Sequence, residues 1–221
     1  MAEAGTLHDA FIDELRDTYD AEGQLTKALA ELAKAATAPE LREAFESHLE
    51  ETQGQIQRLE QVFESVDEKA RGKHCDGIAG IIEEGKAIME EDFDGATMDA
   101  CLIAAGQRAE HYEMAAYGTL VAWARAMGHV EAANLVQQTL DEEKAADEKL
   151  TGLAEGGINQ SAADSAHPEG ESDDEEDQEA GDEDEAEAEA EDDKGNANAR
   201  AVGRGAKKSA GPKAKPAARR R

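Results

Sequence analysis

The sequence predicts an all-α protein, a four-helix bundle made of two hairpins and a short crossover helix, followed by a C-terminal tail without a fold. Three observations predict it. Aromatic residues make up only 4 % of the 221 residues. Long stretches of Ala, Leu, Glu and Lys carry apolar side chains at alternating steps of three and four, which gathers them on one helix face. A single proline, Pro39, falls before residue 168, and it interrupts no apolar repeat.

The first helix is predicted over 7–36, with a stripe of Phe11, Leu15, Thr18, Glu22, Leu25, Leu29 and Leu32. A turn at 37–39 follows, and Pro39 suits the first turn of a second helix over 39–66. Its stripe runs Leu41, Phe45, His48, Thr52, Ile56, Leu59 and Phe63. "DEKARGKHCDG" reads as a loop, and a crossover helix over 78–91 ends at "DFDGAT". The third long helix, 96–127, presents Met98, Leu102, Ala105, Ala109, Glu113, Ala116, Leu120, Trp123 and Met127 before Gly128 stops it. The fourth, 130–154, presents Val136, Leu140, Glu143, Asp147, Leu150 and Ala154 before Gly156 and Gly157. The bundle is therefore assigned to residues 1–158.

Beyond it the composition changes. Residues 159–193 form an acidic linker, and 194–221, ending "GAKKSAGPKAKPAARRR", form a basic one. Neither holds enough large apolar side chains to offset the entropy of ordering, so both are expected to be disordered.

The formal net charge is -29, and 34 of the 52 acidic residues precede residue 156 against 13 of the 23 basic ones. A folded part this negative is excluded as a nucleic-acid binder, and it suits a salt-rich cytoplasm in which repulsion is screened. No apolar run approaches the ~20 residues that span a bilayer, so no membrane association is expected. The start, "MAEAGTLHDAF", lacks the order of charges and apolar residues of a signal peptide. Cys75 and Cys101 make no disulfide framework or CxxC motif. Together these predict a cytoplasmic protein with free thiols.

Each of the four stripes is broken near its middle by a carboxylate or an imidazole. Counting from the turns at residues 37 and 128, Glu22 lies 15 residues before the first and Glu51 14 after it. Glu113 lies 15 before the second and Glu143 15 after it. At about 1.5 Å of rise per residue these pairs share a height in their hairpins, and the crossover can bring all four helices into one layer. Carboxylates buried together are costly unless a cation neutralises them, which a pair of metal ions does. The candidate ligands are Glu22, His48, Glu51, Glu110, Glu113, Glu143 and Asp147. His48 and Glu51, three apart, face one side of their helix, as do Glu110 and Glu113. Glu50, Glu142 and Glu148 are expected to face water, and His111 to point away. Tyr19 and Tyr112 lie beside the layer, as packing or as donors behind the ligands. A lone acid in such a stripe commonly reaches solvent from its flank; four breaks at one depth do not fit that reading.

The phrases "LRDTYDAEGQLTKAL", "SHLEETQGQIQRLE", "AEHYEMAAYGTL" and "TLDEEKAADEKLTGLA" resemble the YciE/YciF family (domain of unknown function 892) of bacterial and archaeal stress proteins over about residues 5–160. The resemblance implies a ferritin-like bundle, a homodimer, a diiron site and a stress-response role, without an established reaction. Ferritins and rubrerythrins carry Glu-x-x-His on the second and last bundle helices. Here the second has His48-x-x-Glu51, and the last offers Glu143 and Asp147 without a histidine. The donor set is thus harder and more anionic, favouring iron or manganese over zinc.

Two functions are carried forward. One is a diiron ferroxidase or peroxide scavenger, cycling between Fe2+ and Fe3+ with peroxide or dioxygen as the small oxidant. The other is a non-enzymatic helical stress or scaffold protein with a polar core network and no metal. The basic tail resembles histone-H1-like extensions that contact DNA phosphates; neutralisation by residues 169–193 is the favoured reading of it.

Overall fold

A computed structural model describes residues 5–166, and the readings placed on residues 167–221 lie outside them. Four long helices make the bundle: α1 (Leu7–Ala35), α2 (Pro39–Ser65), α4 (Gly95–Met127) and α5 (Val130–Leu153), with the crossover helix α3 (Asp76–Met89) between the hairpins. The predicted ends hold to within two residues. α3 begins two residues before its predicted start because Cys75 caps it, its sulfur accepting the Ile78 N–H at 3.4 Å.

Thr6 opens α1 with a capping box, its side chain accepting from the Asp9 N–H while the Asp9 carboxylate accepts from the Thr6 N–H. Ala38 precedes α2 without a capping side chain of its own. The cap comes from α4: buried Asp99 accepts from the N–H groups of Thr37 and Ala38 at 2.7 and 2.8 Å and from the Thr37 hydroxyl at 2.6 Å. This carboxylate fastens the turn of one hairpin to the other. At Gly128 the α4–α5 turn requires the left-handed backbone, φ 80°, that glycine adopts without strain.

The buried clusters give the helix directions. One joins Phe11 at the start of α1, Phe63 at the end of α2, Ala124 at the end of α4 and Ala132 at the start of α5. The other joins Leu32, Leu41, Leu102 and Leu150 from the opposite ends. So α1 and α5 run one way, α2 and α4 the other, and α1 packs on α2 and α4 while α5 packs on the same two. Because α2 and α4 run parallel, the chain must return along the bundle between them. α3 does so on the α1–α4 side, where Ile78 and Cys75 bury against Ala21, Leu25 and Ala109. Gly77 lets it approach: a Cβ there would lie 2.7 Å from the Tyr112 ring.

The predicted boundary at 158 needs correction. After α5 the chain makes one wide turn over Ala154–Ile158, bends at Gly157 (φ 140°) and re-enters helix as α6 (Asn159–Ala166), which packs on α4. The glycines read as a stop are a bend, and "NQSAADSA" holds no large apolar residue to signal the helix beyond it. Among the described residues no helix is long and apolar enough to cross a membrane.

Candidate metal centre

Between the two apolar clusters lies one polar layer. Every stripe crosses it: α1 between Leu15 and Leu29, α2 between Phe45 and Leu59, α4 between Ile103 and Leu120, α5 between Leu140 and Leu150. Helical periodicity forces this. A residue seven positions from one core side chain and seven from the next points inward whether or not it is apolar. Glu22 and Glu143 have no solvent exposure, Glu110 and Glu113 retain 2 % and 3 %, and His48 retains 7 %.

His48 anchors the geometry. Its Nε2 lies 3.3 Å from Glu110 Oε1 and 3.5 Å from Glu143 Oε2, while Nδ1 lies 3.3 Å from Glu51 Oε2. One donor atom from each of His48, Glu110, Glu113 and Glu143 falls within 4.8 Å of the other three, so a single ion could touch all four. Glu22 stands on the α1 side, close enough for its field to act on Glu113. Glu51 is half exposed, at 49 % of its side chain, and reaches the layer through His48.

Two side chains hold the carboxylates from behind. Gln55 Nε2 donates to Glu143 Oε1 at 2.5 Å and to Glu142 Oε2 at 3.2 Å, and Glu142 is itself gripped by Arg58 at 2.7 and 2.8 Å. The buried Tyr117 hydroxyl donates to Glu22 Oε1. The second oxygens of Glu22, Glu110 and Glu143 are buried and accept no hydrogen bond, although His48 Nε2 stands 3.5 Å from that of Glu143. Native interiors rarely tolerate such orphans.

Electrostatics tell the same story. Burial, with the field of Glu143, pushes Glu22 up to about 8; burial likewise pushes Glu110 to about 8 and Glu143 to about 9. Burial and the fields of Glu22, Glu143 and Glu110 hold Glu113 well above the carboxylate range. For His48 burial acts downward, but contact with Glu51 and the field of Glu143 outweigh it and leave the ring above its ordinary value. Glu51, hydrogen-bonded to His48, is lowered. Without a cation, the inner carboxyls are protonated where free carboxylates are ionised.

Of the seven residues singled out from the sequence, Glu22, His48, Glu110, Glu113 and Glu143 are buried in this layer and Glu51 stands at its edge. Asp147 is placed elsewhere: partly exposed, it accepts from Gln107 Nε2 at 3.0 Å and lies 3.3 Å from His111 Nε2. It sits four residues after Glu143 on the α4–α5 flank, from where its field still reaches Glu110. Glu142, expected in water, instead forms the ion pair with Arg58. Tyr19 donates to Glu60, and Tyr112 pairs with Cys75 and Asp17. Tyr117 and Gln55 were missed by the sequence reading. Both were within its reach, since Tyr117 is four residues after Glu113 and Gln55 seven after His48. The apolar stripe read on α2 runs through Ile56, whereas Gln55 is the buried residue and Ile56 lies at the flank.

A cavity of about 170 Å³ opens from His48 and Glu110 between α2 and α5 to exposed Glu51 and Lys149.

Comparison with known proteins agrees with this architecture. The family described as Domain of unknown function (DUF892) matches residues 6–163. Protein YciF of Escherichia coli is 48 % identical over 162 residues, which cover 73 % of this chain and 98 % of that protein. The crystal structure of that protein, described as a stress protein, superposes with a TM-score of 0.69 over 71 % of this chain and 99 % of the other. YcfI of Rhodopseudomonas palustris, 43 % identical, superposes at 0.66 over 68 % of this chain and 96 % of its own. A Xanthomonas campestris protein at 23 % identity shares the fold, at 0.57 over 73 % of this chain and 99 % of its own.

Proposed function

Because this chain belongs to the DUF892 family, whose member YciF is described as a stress protein, we propose that it is a stress protein that binds two iron ions in its polar layer and uses them to reduce peroxide or dioxygen. The observation that carries this is the convergence of four buried carboxylates and one imidazole, three of the carboxylates having an oxygen that accepts no hydrogen bond.

The residues fit such a pair. Four inner carboxylates, once ionised, match the charge of two divalent cations and remove the penalty that otherwise keeps them protonated. Glu22, Glu110, Glu113 and Glu143 would hold the ions, with His48 as the nitrogen donor and Glu51 as a ligand from the rim. Oxygen donors with a single nitrogen favour iron, with manganese as the alternative, over zinc. When bound, two ferrous ions would supply one electron each to the oxidant.

The chain does the rest. Tyr117 holds Glu22 in one rotamer, and Gln55, braced by Arg58 through Glu142, holds Glu143. The two apolar clusters keep bulk water from both ends of the layer, and the cavity beside His48 gives a small oxidant a route in. A metal-free scaffold fits less well: without a cation the layer must keep protons between Glu22 and Glu113 and between Glu110 and Glu143, and Gln55 Oε1 still lacks a partner.

Elemental analysis of protein purified without added metal tests the reading. About two iron or manganese ions per chain are expected, and chelation should lower the melting temperature because an ion bound only to the native state stabilises it by mass action. A metal-free preparation whose melting is indifferent to both chelator and added Fe(II) would overturn it.

A further inference from the structure

The cavity between α2 and α5 is larger than its oxidants require. At about 170 Å³ it exceeds the roughly 150 Å³ that suffices for benzene in an apolar protein cavity, whereas a water claims only about 30 Å³ of liquid. Ala44, Phe45, Ala145, Ala146 and Leu150 form its apolar lining, and the hydroxyl-bearing Ser47 joins them from α2. At the inner end stand His48 and Glu110 of the metal layer. At the outer end the charges are matched: Glu142 is locked to Arg58 by two contacts at 2.7 and 2.8 Å, and Glu51 lies in the field of Lys149. On a chain of net charge -29, a mouth with balanced charge neither draws in cations nor selects anions.

From this shape and polarity we infer that the cavity is a binding site for a small neutral organic molecule, its apolar body against Phe45, Ala146 and Leu150 and its polar end at His48 and Glu110. The class that joins such a body to a group the metal layer can act on is the organic hydroperoxides. This rests on the proposed function for its chemistry, though not for its binding. With iron bound, the chemistry supplied would be a two-electron reduction of the O–O bond, in which two protons and one electron from each of two Fe(II) ions give an alcohol and water and leave two Fe(III) ions.

Binding is tested on the full metal-free chain with benzyl alcohol as the probe, followed by amide NMR. Saturable shifts are expected at residues 44–48 and 142–150. Ala146→Leu, which puts three carbons into the cavity, should weaken the probe by at least about tenfold, and Ala44→Leu, entering from the α2 wall, should do the same if the first variant folds poorly. In the iron-loaded protein Ala146→Leu should lower the rate with cumene hydroperoxide about tenfold relative to that with hydrogen peroxide. Benzyl alcohol shifts that are absent, scattered over the surface or unchanged by both fillings would overturn the site. Probe binding that responds to the fillings in a protein inert to every peroxide would leave the pocket standing and remove the redox function; hydrogen peroxide turnover without probe binding would do the reverse.

Discussion

Raising the pH of the metal-free protein should destabilise it across a range in which surface carboxylates no longer titrate. Glu22 and Glu110 stand near 8 and Glu143 near 9, against an ordinary value of 4.5. An acid raised by folding contributes fully below its unfolded pKa, and that contribution is lost as pH climbs toward its folded value. The loss therefore falls between about pH 4.5 and 9. His48, also raised, acts in the same direction above its unfolded value. A carboxyl that stays protonated in the fold but ionises in the unfolded chain costs about 1.4 kcal/mol per pH unit. Mutual fields keep the several losses from adding in full, so one group's slope is the floor, about 3–6 °C of melting temperature per pH unit for a domain of this size. Calorimetric melts in chelator from pH 6 to 8.5 measure it directly. Iron-loaded protein should show a flattened or reversed trend, because ligands bind an ion only when deprotonated. Glu113→Gln, which deletes one of the coupled acids, should reduce the slope without metal. A melting temperature that stays level over this range in chelator would refute the claim that the inner carboxyls are buried together.

Other outcomes follow from single contacts. Tyr117→Phe leaves both oxygens of fully buried Glu22 unpartnered and should cost about 1–3 kcal/mol in urea melts of the metal-free protein; a cost below about 0.5 kcal/mol would mean that the pair is not formed. Asp99→Ala strips the α1–α2 turn of its three contacts from α4 and should cost about 2–3 kcal/mol by the same assay, with metal content unchanged. Asp147→Asn should leave the iron stoichiometry as it is, since Asp147 faces Gln107 and His111, whereas Glu113→Ala should abolish it. Equal losses from these two would place Asp147 among the ligands after all.

Most of the fold was legible because a helix repeats faster than its core requirement changes. Phe11 to Leu32 supplied enough turns of one stripe to mark both the helix and its buried face, and all seven residues read on that stripe are buried. The breaks in the stripes were legible for the same reason: Glu22 and Glu143 lie in phase with leucines, and the turns at 37 and 128 set their common depth. Where the stripe widens, phase alone no longer chooses. Gln55 and Ile56 are adjacent, and only the neighbouring α5 decides that the amide turns inward to Glu143 while the isoleucine takes the flank. α6 gave no signal because its eight residues contain nothing large to bury.

Local pattern alone therefore determined the four long helices and the crossover, their order, the hairpin partners and the presence of an acidic layer, since each depends on spacing along one chain. Which acids share a point in space, which tyrosine and glutamine support them, and where the layer opens to solvent were decided by tertiary packing. Those properties depend on the sideways offset and rotation between helices far apart in sequence, here set by α3 and by the grip of Asp99, and no repeat within a single helix encodes them.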